Sequence, residues 1–302
     1  MIYNKTEGLI AAPYTPMNED GSINPSIIGR YADYLKERKI KGVFINGSTG
    51  ETASLSLKER MILAEKWLNY QTNDFKIFVH VGSNSVIDSK ELTKHAEENN
   101  AFAVGATGPS YFKPASEKIL MKIMKDIASA GPNTPFYYYH IPALNSNYLN
   151  VVDFLSMSID EIPTLSGMKY TYEDLMEFQL CRQLADGKLD ILYGRDETLI
   201  CGLALGVVGG VGSTYNFMAP LYLKIIESFN AGDLEKANIL QVLSMRIIQQ
   251  YGKYSGVPAG KVIMKQLGLD MGAPRLPFEA MSIDQENELI KELKNLDFFD
   301  YV

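Results

Sequence analysis

Residues 42–82 read GVFINGSTGETASLSLKERMILAEKWLNYQTNDFKIFVHVG, in which two apolar runs flank one amphipathic run. The apolar runs, residues 42–47 and 76–82, are short and rich in β-branched and aromatic residues, which is typical of buried strands. Between them, Ser56 is followed three residues later by Glu59, the spacing of a helix capping box. The stretch therefore predicts a strand, a helix and a second strand parallel to the first.

The same alternation recurs along the rest of the chain. The candidate strands are continuous apolar runs, which favours parallel strands that are covered on both faces. They are residues 8–16, 42–47, 76–82, 101–108, 135–142, 165–171, 190–196 and 206–214. Asn24 is the predicted N-cap of the first helix, with Pro25 at its first position. Eight strand–helix repeats with right-handed crossovers predict an α/β fold, a (β/α)8 TIM barrel.

The barrel is expected to occupy residues 1–232, and residues 233–302 are expected to form a C-terminal helical extension packed on it. No linker rich in Pro, Gly or Ser separates the two parts. An open dinucleotide-binding sheet is the main alternative, and it needs the pattern GxGxxG after its first strand. Here the glycine-rich segment, residues 206–216, lies at the eighth strand and lacks the third glycine, which argues against that fold.

The composition is that of an ordinary globular protein: 46% of the 302 residues are hydrophobic, 22% are charged, and the net charge is −7. No run of Lys or Arg stands out, which argues against nucleic acid or a membrane surface as the main partner. No window approaches a membrane span, and the N-terminal segment lacks the pattern of an export signal. With Cys181 and Cys201 as its cysteines and no disulfide framework, we expect a cytoplasmic protein. The histidines are isolated, so no metal site is predicted.

Lys169 stands inside the apolar run LSGMKYT, residues 165–171. Barrel enzymes carry their sites at the carboxyl ends of the strands, where this lysine would lie. Burial disfavours the charged form of a lysine, and the neutral amine is a nucleophile that forms an imine with a ketone. Viewed alone, Lys169 has an alternative interpretation as a strand-end side chain that reaches solvent.

Two other groups at these strand ends each allow a functional and a structural interpretation. The turn at residues 47–50 offers two hydroxyls and backbone N–H groups to an anion the size of a carboxylate. Alternatively, its Ser and Thr cap a helix. Asp196 and Glu197 either begin a helix, where their charges complement the helix dipole, or accept hydrogen bonds from a polyhydroxylated substrate.

Tyr139 belongs to the aromatic strand run at residues 135–142. Strand alternation puts Tyr137 and Tyr139 on one side of the sheet and Tyr138 on the other. Aromatic runs of this kind usually belong to the core. A tyrosine one strand away from a reactive lysine would also be placed for proton transfer.

Five segments occur together in a specific order: GSTGE (47–51), YHIPAL (139–144), GMKYT (167–171), YGRDE (193–197) and GGVGSTYN (209–216). The combination resembles the N-acetylneuraminate lyase/dihydrodipicolinate synthase family of class I aldolases, over about residues 7–300. The resemblance implies a Schiff-base aldolase on a (β/α)8 barrel that forms pyruvate. It also implies a homotetramer that uses no metal ion and no other cofactor.

The resemblance implies a role for each matching position. Lys169 matches the imine-forming lysine, and Tyr139 matches the tyrosine that transfers protons. Ser48 and Thr49 match the pair that holds the carboxylate of pyruvate. Tyr111 matches a tyrosine that reaches into a neighbouring subunit and joins a hydroxyl relay with that pair.

Further matching positions concern the rest of the substrate. Thr171 matches a hydroxyl that positions the bond to be cleaved. In the lyase branch of the family, the hydroxyls of the sugar are held at positions that match Gly194, Asp196, Glu197 and Ser213.

Leu144 bears on which substrate branch of the family this chain resembles. The dihydrodipicolinate branch has an arginine at this place, which binds the carboxylate of its aldehyde partner, and a leucine removes that contact. Asp196 and Glu197 would also repel a second carboxylate and accept hydrogen bonds from hydroxyls. The best candidate within the resemblance is therefore N-acetylneuraminate. The alternatives are a 2-keto-3-deoxy sugar acid aldolase or dihydrodipicolinate synthase of the same family, and an inactive barrel that binds a sugar acid.

Overall fold

A computed structural model of the chain describes residues 5–302. The first four residues, part of the segment searched for an export signal, lie outside the described residues. The eight strands of the described chain form a closed barrel in sequence order, and β8 pairs with β1 in parallel. They are β1 Gly8–Ala11, β2 Gly42–Ile45, β3 Lys76–His80, β4 Ala103–Ala106, β5 Phe136–His140, β6 Leu165–Tyr170, β7 Asp190–Tyr193 and β8 Gly209–Gly212. The predicted TIM barrel is confirmed.

Helices connect the strands and continue beyond β8. They are α1 Ile28–Glu37, α2 Leu57–Leu68, α3 Val86–Glu98, α4 Glu117–Ala128, α5 Pro142–Asn145, α6 Val151–Glu161, α7 Leu175–Gln183, α8 Leu199–Ala204, α9 Tyr215–Asn230, α10 Leu234–Gly252, α11 Val257–Gln266 and α12 Ile283–Asn295. Short 3-10 helices include Thr52–Ser54 before α2 and Asp196–Thr198 before α8. None of the helices within residues 5–302 is long and apolar enough to cross a membrane.

Local sequence explains where the first two long helices begin. The Ser56 capping box is confirmed: the Glu59 backbone N–H donates to Ser56 Oγ (3.3 Å), and the Ser56 N–H donates to Glu59 Oε2 (2.9 Å). The predicted positions of Asn24 and Pro25 are confirmed for the 3-10 helix Pro25–Ile27, which leads into α1, but Asn24 makes no side-chain cap. Its side chain accepts from the Ser26 hydroxyl instead of capping backbone N–H groups, and a 3-10 turn precedes α1.

The core has two layers, one inside the barrel and one between the sheet and its helices. Tyr137 and Tyr139 point into the barrel, where they pack with Phe44 and Phe78, whereas Tyr138 belongs to the outer layer. This arrangement confirms the predicted alternation along β5. Inward-pointing residues near the carboxyl ends of the strands therefore face the site described below.

The C-terminal part of the chain contacts the barrel through α10, α11 and the segment that follows α11. Asp233 caps α10 by accepting from the Lys236 N–H at 3.0 Å. Helix α10 packs along α9 and against the Asp196–Thr198 turn. Helix α11 packs against α9 and α10, and α12 packs against α10 and α11. Division of the chain at residue 233 into a barrel and an extension stays a prediction.

Candidate active site

Lys169 lies on the inner face of the barrel near the carboxyl end of β6. Its side chain is buried, with 5% of the residue exposed. The Nζ atom lies 4.2 Å from the centre of the Tyr139 ring and 4.6 Å from that of Phe44. Tyr139 is also the residue opposite Lys169 in the pairing of β5 with β6. The alternative interpretation of Lys169 as a side chain in solvent is therefore wrong.

The amine faces a cavity of about 270 Å³ at the carboxyl ends of the strands. Nine of the ten predicted site residues line this cavity: Ser48, Thr49, Tyr139, Lys169, Thr171, Gly194, Asp196, Glu197 and Ser213. Their positions in sequence span β2 to β8, so the closed barrel is what brings them together.

Tyr111 is the predicted site residue that does not line the cavity. It follows β4 in a loop and is 77% exposed, packed edge-on against Phe112. The loop is held in place because the N–H groups of Ser110 and Tyr111 donate to Asn84 Oδ1 at 2.8 and 3.1 Å. Within one subunit this tyrosine is therefore a surface residue, and its predicted role depends on a neighbouring copy.

The turn at residues 47–50 is shaped by left-handed residues on each side. Asn46 has φ +56° and Glu51 has φ +60°. Thr15 Oγ1 donates to the Gly50 carbonyl at 2.7 Å, which ties the turn to the segment after β1. Neither Ser48 nor Thr49 caps a helix, because α2 is capped by Ser56 and the preceding 3-10 helix has no side-chain cap. The helix-capping interpretation of this turn is therefore wrong.

His80 contacts this region without lining the cavity, and sequence reasoning treated it only as an isolated histidine. Burial, and then the nearby Arg60 guanidinium, lower the pKa of His80 well below its usual value. The neutral ring then carries its proton on Nδ1, which lies 2.9 Å from the Asn46 carbonyl oxygen and donates to it. The ring also packs edge-on against Tyr139 at 5.8 Å. His80 thus connects the proposed proton-transfer tyrosine to the start of the turn.

Asp196 combines the two interpretations that its sequence position allowed. It begins the 3-10 helix that precedes α8, and it also lines the cavity. Its Oδ2 accepts from the N–H and Oγ1 of Thr214 at 2.9 and 2.6 Å. Burial, followed by the charge of Glu197, raises the pKa of Asp196 to about 6. Glu197 itself pairs with Arg195 at 2.9 Å.

Thr171 and Gly194 fit each other closely at the mouth of the cavity. A Cβ at position 194 would overlap Thr171 Oγ1 and lie 2.7 Å from the Tyr170 carbonyl oxygen, so the position requires glycine. Within residues 5–302, the buried Thr171 Oγ1 has no hydrogen-bond partner. Because a buried hydroxyl without a partner is costly, this atom is suited to contact a bound molecule.

Sequence reasoning missed the contribution of α10. Ile248 and Tyr251 line the cavity beside Ser213 and Thr214. The hydroxyl of Tyr14 donates to that of Tyr251 at 3.3 Å. The amphipathic pattern of α10 shows that one face is buried but does not show what that face covers. Leu144 on α5 lies at the rim of the cavity and is 65% exposed. An arginine at this position could reach a carboxylate of a bound substrate, and the leucine cannot bind one.

Comparison with known proteins agrees with this geometry. The family model described as the Dihydrodipicolinate synthetase family matches residues 5–296. The chain belongs to this family. Membership in the Dihydrodipicolinate synthetase family confirms the resemblance that the five segments indicated.

Similar proteins in the family are named as enzymes of sialic acid. N-acetylneuraminate lyase of Homo sapiens is 39% identical over 302 residues, which cover 98% of this chain and 94% of that protein. The structure of Proteus mirabilis N-acetylneuraminate lyase has a TM-score of 0.95 at 38% identity and covers 98% of this chain and 100% of that chain. A structure described as the catalytic lysine mutant of Ruminococcus gnavus sialic acid aldolase has a TM-score of 0.90 at 28% identity and covers 98% of each chain.

Proposed function

We propose that this chain is an N-acetylneuraminate lyase, which cleaves sialic acid reversibly to N-acetylmannosamine and pyruvate through an imine on Lys169. The observation that carries the proposal is the cavity itself. It joins a buried amine, a tyrosine, a turn suited to a carboxylate and a set of hydroxyl-binding groups. Relatives that are 38–39% identical to this chain over nearly their whole length bear the name N-acetylneuraminate lyase.

The reaction begins at the amine of Lys169. In its neutral form the amine attacks the C2 ketone of open-chain N-acetylneuraminate, and loss of water leaves an iminium ion. The positive nitrogen can then accept the electron pair released when the C3–C4 bond breaks. The buried amine lies 4.2 Å from the centre of the Tyr139 ring, which places the proposed nucleophile beside the proposed proton carrier.

Tyr139 is the proposed proton carrier. Tyr139 gives its hydroxyl proton to the water that leaves as the iminium ion forms. The resulting phenolate takes the proton of the C4 hydroxyl while the C3–C4 bond breaks, so that C4 becomes the aldehyde of N-acetylmannosamine. The enamine left on Lys169 takes a proton at C3. Water then adds to the iminium carbon, pyruvate leaves, and the free amine of Lys169 is restored.

Binding is divided between the two sides of the cavity. The turn at residues 47–50, through its N–H groups and the hydroxyls of Ser48 and Thr49, holds the carboxylate next to C2. Thr171 positions the bond that breaks. Gly194, Asp196, Glu197 and Ser213 hold the hydroxyls of the sugar, and the apolar Leu144 leaves no clamp for a second carboxylate.

We also propose that the active form is a homotetramer in the cytoplasm. Tyr111 is exposed in one subunit, and a neighbouring subunit would bring it to the hydroxyl pair of Ser48 and Thr49. Both cysteines of the described chain, Cys181 and Cys201, are free thiols, which suits a reducing compartment. Mass measurement of the native assembly tests the tetramer directly.

Pyruvate release from a panel of substrates tests the proposed function. We expect N-acetylneuraminate to exceed 2-keto-3-deoxygluconate by about 100-fold in kcat/KM, because only the longer sugar reaches all the hydroxyl-binding groups. The Asp196→Asn variant is the control, since it alters the proposed sugar contact and keeps the amine. Faster release from 2-keto-3-deoxygluconate, or condensation of pyruvate with a carboxylated aldehyde as the main activity, would contradict the proposal.

A further inference from the structure

Glu51 ends the GSTGE segment, yet its side chain does not line the cavity. It is buried, with 3% of the residue exposed, and it points toward the C-terminal part of the chain. Its Oε1 lies 2.8 Å from Nζ of Lys261 on α11, which is also 3% exposed. The two residues form a buried ion pair between the turn after β2 and a helix that follows the barrel.

Each member of this pair has a second partner. Lys261 Nζ donates to the Ala273 carbonyl at 3.2 Å, and the Arg275 N–H donates to Glu51 Oε2 at 2.7 Å. Burial lowers the pKa of Lys261, while the charge and hydrogen bond of Glu51 oppose that shift and favour its ammonium form. Because each partner also holds a backbone group, the ion pair has a defined geometry, although burying it adds little to stability.

Arg275 connects the same C-terminal segment to the start of α2. Its guanidinium forms an ion pair with Glu59, and it donates to the carbonyl oxygens of Ser54 and Gly21 at 2.8 Å each. The chain between β2 and α2 is therefore held at two points by residues 261–275. The turn at residues 47–50 lies immediately before the first of these points.

We propose that Glu51 and Lys261 are positioning residues, which fix the turn at residues 47–50 in the shape that binds the substrate's carboxylate. The proposal rests on the proposed function. Glu51 has a left-handed backbone, and its N–H donates to the Ser48 carbonyl at 3.1 Å, so the direction of its side chain is tied to the shape of the turn. Loss of the ion pair would let the turn relax, and its N–H and hydroxyl groups would no longer converge on one anion.

The first test compares Glu51→Gln and Lys261→Met with the wild type in steady-state kinetics. Carboxylate contacts present in both the ground state and the transition state affect KM without kcat. We therefore expect KM for N-acetylneuraminate, and the pyruvate concentration needed for half-maximal imine trapping, to rise about 10-fold or more, with kcat within about threefold. An unchanged KM in both variants would overturn the proposal.

Asp190→Asn is the matched control for general destabilisation. Asp190 is a buried carboxylate at the other end of the barrel, where it accepts from the Thr6 N–H at 3.0 Å and from the Tyr137 hydroxyl at 2.9 Å. We expect this variant to lower the midpoint of thermal unfolding and to keep the wild-type KM. If Asp190→Asn raises KM as much as Glu51→Gln does, the ion pair has only a structural role.

The double variant Glu51→Gln with Lys261→Met separates positioning from stability, because it leaves no single buried charge behind. We expect its unfolding midpoint to recover toward the wild type while its KM stays raised. Recovery of both quantities would overturn the proposal. Absence of any pyruvate adduct on the wild-type protein would instead contradict the proposed function, so the two failures are distinguishable.

Discussion

Asp190 and Asp196 are buried carboxylates at opposite ends of the barrel, and they differ in what faces them. Asp190 begins β7 and accepts from a backbone N–H and the Tyr137 hydroxyl, away from the cavity. Asp196 follows β7 and lines the cavity, with one oxygen held by Thr214 and the amine of Lys169 near enough to lower its pKa. Burial is the largest cause that raises the pKa of both.

The comparison shows that burial alone does not mark a functional residue. At the amino end of the barrel, a buried polar side chain contacts other parts of the protein. At the carboxyl end, Lys169, Asp196 and the unpartnered Thr171 hydroxyl share a space large enough for a ligand. We therefore expect substitutions at the carboxyl end to reduce activity more than stability, and substitutions at the amino end to reduce stability more than activity.

The largest expected effect belongs to Lys169→Met. Removal of the amine prevents the imine, so kcat should fall by about 10⁴-fold or more, because the remaining groups offer no other electron sink. The unfolding midpoint should stay at or above that of the wild type, because an apolar side chain replaces a buried amine of similar size. Retention of a tenth of the wild-type kcat would contradict the proposed role of Lys169 as the imine-forming residue.

Tyr139→Phe and Tyr137→Phe form a matched pair two residues apart on the inner face of β5. Loss of the Tyr139 hydroxyl should lower kcat by about 10² to 10⁴-fold, the usual contribution of a positioned proton carrier. Loss of the Tyr137 hydroxyl should keep kcat and lower the free energy of unfolding by about 1 kcal/mol, since Asp190 loses a donor. Steady-state kinetics and chemical denaturation measure the two effects, and equal losses of activity would contradict the assignment.

Gly194→Ala should have a smaller effect on activity together with a cost in stability. The added Cβ would overlap Thr171 Oγ1 and press on the Tyr170 carbonyl, so we expect a loss of about 1–3 kcal/mol in unfolding free energy. The displaced Thr171 should lower kcat/KM by about 100-fold. Gly252→Ala is the control, because a Cβ there meets no atom within 4 Å.

The smallest expected effect on activity is a dependence on pH that Asp196 causes, and the same group makes the stability depend on pH. Its pKa is raised from 3.8 to about 6 in the folded protein, so the folded state binds a proton more tightly than the unfolded state does. The contribution of this group to stability is present below pH 3.8 and is lost as the pH rises through about 6, by roughly 2–3 kcal/mol.

Denaturation of the wild type and Asp196→Asn between pH 4 and 7 measures this contribution. We expect the variant to gain in relative stability across that window, and a constant difference would contradict the shifted pKa. In the wild type, kcat/KM should also rise about 10-fold through pH 6 as the anionic acceptor forms. The variant should lose that rise.

Most of the fold could be predicted because the barrel strands have a strong local signal. All eight predicted runs contain the observed strands, although β1 ends at Ala11 and its predicted run ends at residue 16. Apolar residues continue past the last ladder hydrogen bond, and sequence alone does not show where pairing ends. Asn24 occupies the predicted N-cap position, but its side chain accepts from the nearby Ser26 hydroxyl, and sequence alone did not show this competing partner.

The site residues that could be predicted are those of distinctive chemistry that belong to short sequence motifs. Ser48, Thr49 and Lys169 are such residues, and each lines the cavity. Tyr251 and the Glu51–Lys261 ion pair could not be predicted, because they depend on how α10 and α11 pack against segments distant in sequence. No periodic pattern specifies which pair of helix faces will meet.

Reduction with borohydride in the presence of pyruvate, followed by peptide mass spectrometry, tests the central claim most directly. We predict one reduced pyruvyl adduct, located on Lys169 and absent from Lys169→Met. Lys261 is an internal control, because it is equally buried but is held as an ammonium by Glu51 outside the cavity. No adduct, or an adduct on a lysine other than Lys169, would contradict the account.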